Sequence, residues 1–298
     1  MTNAQIERPA WLKKRLVTDE AVSGTRAILA ESGLETVCRS SMCPNQNECF
    51  SNGQATFLLL GDTCTRSCGF CSVKKGFPAQ LKSDGEPDRI ADTVRKMGLK
   101  YVVLTSVTRD DLEDGGAGEF VKAVGCIKRI LPEIKVEVLT PDFKGRHESI
   151  KAVVGSAPDV LGHNIETVKR LYSVARRGSK YRRSLKLLKY VKKVNRLQLT
   201  KSSIMVGLGE SSRDVSAAIK DLRGVGCDIL TIGQYLRPLQ DNLPVRRYVT
   251  PGEFDRYKET ALSAGFKFVL AGPFVRSSYR AEEAYRSLTR KGEDYDRS

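Results

Sequence analysis

Six times along this chain, a short run of apolar, β-favouring residues is followed by a stretch of helical periodicity. The runs fall at 56–60, 101–105, 135–139, 159–162, 203–206 and 229–234. Helical patterns fill the gaps, among them 88–97, 119–131, 165–175, 184–194 and 211–225. Parallel strands need a crossover between them, and those crossovers are right-handed. In 298 residues, a barrel or an open, partial barrel is the economical way to close six such units. The fold expected is therefore α/β: a partial (β/α)6 TIM-type barrel over 51–248, with an N-terminal extension (1–50) and a C-terminal extension (249–298). A seventh strand-like run, 267–271, follows the helix pattern 251–264. It either extends the sheet or belongs to the C-terminal appendage.

In folds of this kind, the working residues gather at the C-terminal ends of the strands. Those ends carry polar groups here: Thr105 and Ser106, Thr140 and Asp142, His163 and Asn164, Gly207 to Glu210, and Gln234 with Tyr235.

The cysteines are not scattered. Six of the eight lie between Cys38 and Cys71, as Cys38, Cys43 and Cys49 (C-x4-C-x5-C) and Cys64, Cys68 and Cys71 (C-x3-C-x2-C). Cys126 and Cys227 stand alone in helix-like, apolar surroundings and read as small buried hydrophobes. No apolar stretch is long enough to span a membrane, and the first residues lack the apolar core of a signal peptide. The chain reads as cytoplasmic, where thiols stay reduced and clustered cysteines bind metal or catalyse. Only two histidines, His147 and His163, are present. That scarcity argues against His-based zinc sites and against a Ser–His–Asp triad.

Structural zinc wants four ligands, usually as two close pairs, and two unequal triplets supply neither. Iron–sulfur clusters are held by thiolates at such spacings. A C-x3-C-x2-C loop binds three corners of a 4Fe–4S cube and leaves the fourth iron open to a small molecule. The second triplet directly follows the first strand. The first lies ahead of the barrel, in a segment with little strand or helix pattern, which needs something inorganic to hold its shape.

The stretch CTRSCGFC (64–71) resembles the signature of the radical S-adenosylmethionine superfamily, including the aromatic Phe70 before the last cysteine. The remainder resembles the lipoyl synthase family, in order and over nearly the whole chain. The segments that carry this include VCRSSMCPNQNECF (37–50), VVLTSVTRDDLEDGGA (102–117), TKSSIMVGLGE (200–210), LPVRRYVTPGEF (243–254) and GPFVRSSYRAEE (272–283).

The resemblance implies two 4Fe–4S clusters, with S-adenosylmethionine as cosubstrate. Cys64, Cys68 and Cys71 would hold the cluster that cleaves it. Cys38, Cys43 and Cys49 would hold an auxiliary cluster that is consumed as sulfur donor, its fourth ligand a C-terminal serine. That serine maps onto Ser278, with Ser277 the near alternative, and the tail would then fold back onto the N-terminal segment. From local sequence alone, Ser277 and Ser278 read instead as a helix N-cap. The implied reaction inserts sulfur at C6 and C8 of an octanoyl chain amide-linked to a lysine of a carrier domain. The carrier would be an E2 subunit or glycine cleavage H protein, and the electron donor one such as ferredoxin or flavodoxin. Those carbons have no adjacent carbonyl, so acid–base residues cannot activate them. For the cosubstrate, the resemblance and position suggest Thr105 and Ser106 at the amino group, Asn164 and Glu166 at the ribose, and Arg176 at the carboxylate. They also suggest Gly207, Gly209 and Glu210 beside adenosine, and Phe70 and Tyr235 against adenine, although either aromatic also reads as core.

The formal net charge is +15, with basic runs at 13–15, 176–183 and 186–193. Without a nucleic-acid motif, this charge suits an acidic protein better than nucleic acid. Arg237, Arg246 and Arg247 would face the carrier. The chain departs from the family pattern at Arg39–Met42, Phe50, Arg177 and Asn242, where a His is frequent, yet loses no presumed ligand. Two rival readings remain at this stage. One is another two-cluster, biotin-synthase-like sulfur inserter; the other is a basic iron–sulfur protein that binds nucleic acid without chemistry.

Overall fold

A computed structural model describes residues 7–14, 17–78 and 85–293; Arg15, in the first basic run, lies outside them. The sheet is built from β1 (Thr56–Leu59), β4 (Tyr101–Ser106), β5 (Lys135–Leu139), β6 (Val160–Gly162), β7 (Leu199–Val206), β8 (Ile229–Gln234) and β9 (Phe268–Gly272), in that order. Every neighbouring pair is parallel. A two-residue pair, β2 (Thr63–Cys64) with β3 (Lys74–Lys75), brackets the second cysteine triplet. The six expected strands are present, and the seventh run extends the sheet: β9 pairs with β8 from Ile229↔Phe268 to Gly233↔Gly272.

The strands form because both faces can be buried. Val102 and Leu104 of β4 join the large apolar core, together with α4 (Glu86–Lys96) and α5 (Ala117–Ile130). Alternate residues point the other way, into the lumen. Tyr101 and Val103 pack there against Ala281 and Tyr285 of α11 (Ala281–Glu293). The outer helices start on sequence-encoded caps. Ser211 and Asp214 form a capping box on α9 (Ser212–Gly224), and Thr250 and Glu253 form another on α10 (Pro251–Ser263), with Pro251 in its first turn.

The lumen also holds charge. Lys201 Nζ lies 2.8 and 3.0 Å from the two oxygens of Glu137, and the Tyr101 hydroxyl donates to the same carboxylate at 2.7 Å. Both ion-pair side chains are about fully buried, at 2% and 3% exposure. Such a pair persists only when each partner is satisfied.

The N-terminal segment is more helical than its sequence pattern suggests. It contains α1 (Glu20–Ser32), α2 (Val37–Ser40) and α3 (Gln46–Ser51). The last two span four and six residues, too few to display a 3.6-residue period. Cys126 and Cys227 are buried, as expected of core thiols. Among the described residues, no helix is long and apolar enough to cross a membrane.

Candidate active site

The second triplet sits in the loop between β1 and α4, at the C-terminal end of the barrel. Backbone hydrogen bonds shape it. Cys64 Sγ accepts from the Thr108 N–H at 3.3 Å, just beyond β4. Gly69 donates its N–H to the Ala175 carbonyl at 2.9 Å and accepts from the Leu243 N–H at 2.8 Å. A side chain at Gly69 would start 2.9 Å from Leu243 Cγ, so glycine is required for the loop to lie this close. The Asn242 amide donates to the carbonyls of Gly69 (3.1 Å) and Cys71 (3.0 Å). Arg66 is 4% exposed and is gripped by Asp110 and Asp142. Sequence reasoning assigned no role to Arg66, and noted Asn242 only as a departure from the family pattern.

The strand ends around this loop carry the other expected residues, with mixed outcomes. Asn164 follows β6 and donates to Glu166 Oε1 at 3.0 Å; its own Oδ1 is buried without a partner. Ser106 Oγ, at the end of β4, is likewise buried and unpartnered. Buried polar atoms are normally satisfied, so these oxygens suit a polar ligand. Glu166 holds a left-handed backbone (φ 65°), unusual for a residue with a Cβ and frequent at functional sites. Arg176 spans to the Asn164 carbonyl (2.5 Å) and the Tyr172 hydroxyl (2.6 Å). Its charge opposes the burial that pushes the Cys68 thiol up to about 11.

Other expected ligand contacts are occupied from within. The Thr105 hydroxyl donates to the Leu139 carbonyl at 2.9 Å. Glu210 accepts from the N–H groups of Gly207 (2.6 Å) and Leu208 (3.0 Å), so its carboxylate closes its own turn. At Gly207 (φ 103°), a Cβ would meet Gln234 Nε2 at 2.1 Å and the Arg247 carbonyl at 2.7 Å. The close approach that needs this glycine is the chain's own, not a ligand's. Gly209 (φ 111°) is open toward Arg246, with nothing nearer than 3.5 Å. Phe70 and Tyr235 share one apolar cluster with Ala175 and Leu208. Tyr235 is 2% exposed and donates to the Leu243 carbonyl at 2.7 Å, which makes it core.

The first triplet lies toward the strand starts, and its segment touches the second: the Ser72 hydroxyl, next to Cys71, donates to the Ser40 carbonyl at 3.0 Å. Cys38, Cys43 and Cys49 line one cavity with Thr56 and Tyr101, at the starts of β1 and β4, and with Arg276 and Ser278 from the tail. Ser277 is not in its lining. The tail folds back onto the N-terminal segment, as expected. The Asn45 amide donates to the Phe274 carbonyl at 2.6 Å, and the Tyr279 hydroxyl to Glu48 at 2.7 Å. Lys14 pairs with Glu48 and lies over the rings of Phe274 (5.3 Å) and Tyr279 (5.7 Å). The helix-cap reading of the serines fails. α11 begins at Ala281, so the capping position is Arg280, itself left-handed at φ 53°. Arg276 was not singled out, although it heads the same Arg-Ser-Ser-Tyr stretch.

All six thiols are free. Burial pushes Cys38 up to about 11 and Cys49 to about 12, with neighbouring cysteines adding in the same direction. Burial likewise pushes Cys71 up to about 12. Gathered, buried thiols of this kind become good ligands only when a cation offsets their charge. Among the described residues, no three His, Cys, Asp or Glu side chains converge on a single metal ion.

A parallel partial barrel with a three-cysteine loop after its first strand defines a class, and the chain belongs to it. Residues 58–222 match the model of the Radical SAM superfamily. Methylornithine synthase has the same fold, with a TM-score of 0.54 over 86% of this chain and 82% of that one at 15% identity. So does Streptococcus suis SuiB bound to S-adenosylmethionine, with a TM-score of 0.57 over 88% and 68% at 13% identity. Within that class, the chain belongs to the lipoyl synthase family. It is 52% identical to the lipoyl synthase of Caldicellulosiruptor bescii, over 93% of this chain and 95% of that protein. It is also 52% identical to that of Chlorobium limicola, over 95% and 97%.

Proposed function

We propose that this chain makes the lipoyl group in place, by inserting two sulfur atoms at C6 and C8 of an octanoyl chain borne on a carrier-domain lysine. When bound, the two 4Fe–4S clusters and S-adenosylmethionine supply hydrogen-atom abstraction from unactivated carbon and the sulfur itself. The chain's own residues hold, orient and enclose. Cys64, Cys68 and Cys71 hold the radical-generating cluster. Asn164 and Ser106, with buried oxygens to offer, and Arg176 orient the cosubstrate. Cys38, Cys43 and Cys49 hold the sulfur-donating cluster, with Ser278 as its oxygen ligand. An oxygen is the weakest ligand of a thiolate-held cluster, which suits an iron that has to leave.

One observation carries this reading: Ser278, more than two hundred residues downstream, lines the same cavity as all three cysteines of the first triplet. On this reading, the radical barrel runs from residue 51 on through β9, while 1–50 and the tail after β9 wall the sulfur-donating cluster. Arg237 and Arg246 would meet an acidic carrier domain. Arg247 is tied to Glu253 at 2.6 Å and to Tyr257 and drops out of that surface. The reading implies a cytoplasmic protein served by a ferredoxin- or flavodoxin-type donor.

The test is mass spectrometry of an octanoylated carrier domain after anaerobic incubation with the reconstituted protein, reductant and S-adenosylmethionine. Gain of two sulfurs is expected. An unchanged carrier mass alongside cleaved S-adenosylmethionine would overturn the substrate assignment.

A further inference from the structure

The three residues between Cys64 and Cys68 would be free to vary if cysteine spacing were all that mattered. Two of them, Thr65 and Arg66, are instead laced into the barrel. Thr65 donates both its N–H and its hydroxyl to the Thr108 carbonyl at 2.9 Å, and its oxygen accepts from the Asp110 N–H at 2.9 Å. Arg66 uses all three of its guanidinium nitrogens. Nε and Nη2 make a fork onto Asp110 at 2.7 and 2.8 Å. Nη2 also reaches Asp142 at 2.6 Å, and Nη1 reaches the Ser179 hydroxyl at 2.8 Å. Asp142 is fully buried, and its other oxygen accepts from Arg183 Nε at 2.8 Å. Gly178, next to Ser179, is left-handed (φ 82°), and a Cβ there would lie 3.5 Å from Arg66 Cδ.

One side chain thus ties the cysteine loop to three other places at the same barrel mouth: the segment after β4, the segment after β5, and the turn ahead of α8 (Tyr181–Val194). Asn242 and Ala175 hold the other half of the loop through Gly69 and Cys71. The charges close locally, because two carboxylates face Arg66 and Arg183. The network therefore fixes position more than it adds net charge beside the thiols. Only a planar, forked cation can meet Asp110 and Asp142 together in this way.

We propose that Arg66 is a positioning residue for the radical-generating cluster: its clamp on Asp110, Asp142 and Ser179 holds Cys64 and Cys68 convergent before any iron arrives. This rests on the assignment of the second triplet to that cluster, but not on the identity of the substrate.

The chain carries its own control, because none of the Arg66 partners lines the cavity of the first triplet. After anaerobic reconstitution, iron in Arg66→Gln should fall from about eight to about four per chain, the content of one 4Fe–4S cluster. The electron paramagnetic resonance signal that shifts on adding S-adenosylmethionine should be lost, while the first-triplet cluster remains. Arg66→Lys, a point charge without a fork, should recover only part of the signal. If Arg66→Gln loads both clusters and keeps the shifted signal, the clamp is not what positions the loop. If Arg66→Gln loses both clusters by misfolding, Asp110→Asn decides, since it breaks the fork and leaves the Asp142 pair. Selective loss at the second triplet supports the proposal, and full loading of both clusters overturns it. A wild-type protein that loads both clusters yet leaves the carrier unchanged would instead count against the proposed function alone.

Discussion

The two cysteine triplets are built in opposite ways. The second is held by the barrel itself: the Thr108 carbonyl, a buried Arg66 fork and the Asn242 amide fix the course of its loop. The first is assembled from the two ends of the chain. Its walls meet through the Asn45–Phe274 and Glu48–Tyr279 hydrogen bonds and the Lys14 contacts. A cluster that serves many turnovers suits the rigid frame. On the proposed reading, the cluster that gives up sulfur is the one walled by side-chain contacts between the chain's two ends.

The largest effect that can break this comparison is at the barrel end. Cys68→Ala should reduce 5′-deoxyadenosine formation to background, measured by chromatography with or without a carrier. At the tail end, Ser278→Ala should slow sulfur insertion by about 10- to 100-fold, the range for disturbing the shell of a metal site. Ser277→Ala should stay near wild type, because that residue does not line the cavity. Equal effects of the two serines would dissolve the assignment.

Between the two ends, the lumen ion pair holds the barrel. Lys201→Met leaves Glu137 buried and unpaired, and should cost about 3–5 kcal/mol in denaturant unfolding. Acid should weaken the barrel end in a defined window. Burial pushes His163 down to about 3, with Arg176 acting in the same direction. The unfolded chain is then the better proton binder. Stability from this group is complete above its ordinary value near 6.5 and is lost as pH falls toward 3. Asp142 follows at lower pH: burial alone would raise it, but the hydrogen bond and charge of Arg66 hold it below the carboxylate range. Melting temperatures from pH 7 to pH 4 should fall less steeply in His163→Gln than in wild type. The smallest effect belongs to the tail. Tyr279→Phe removes one half-buried hydrogen bond, should cost about 1 kcal/mol, and should lower occupancy at Cys38, Cys43 and Cys49 without touching that at Cys64, Cys68 and Cys71.

The barrel was legible because its strands are buried on both faces and read as apolar runs, Phe57–Leu60 and Val102–Leu104 among them. The triplets were legible because spacing alone carries their chemistry. Lys201 and Glu137 were not, since a charged residue in a strand pattern normally marks a solvated face. Gly207 and Glu210 were read toward a ligand, but their geometry is satisfied by the Gln234 side chain and by backbone N–H groups, a tertiary contact that no local pattern carries. Arg66 was hidden in plain view between two cysteines, because its partners lie 44 and 76 residues downstream. The meeting of the first triplet with the tail had no local signal at all.

Cys43→Ala offers the most direct test of the division between them. With reductant, S-adenosylmethionine and an octanoylated carrier in one anaerobic reaction, 5′-deoxyadenosine and carrier mass are measured together. The expected result is 5′-deoxyadenosine formed with no sulfur gained. Loss of both, or a carrier that still gains two sulfurs, would contradict the separation of radical generation from sulfur supply.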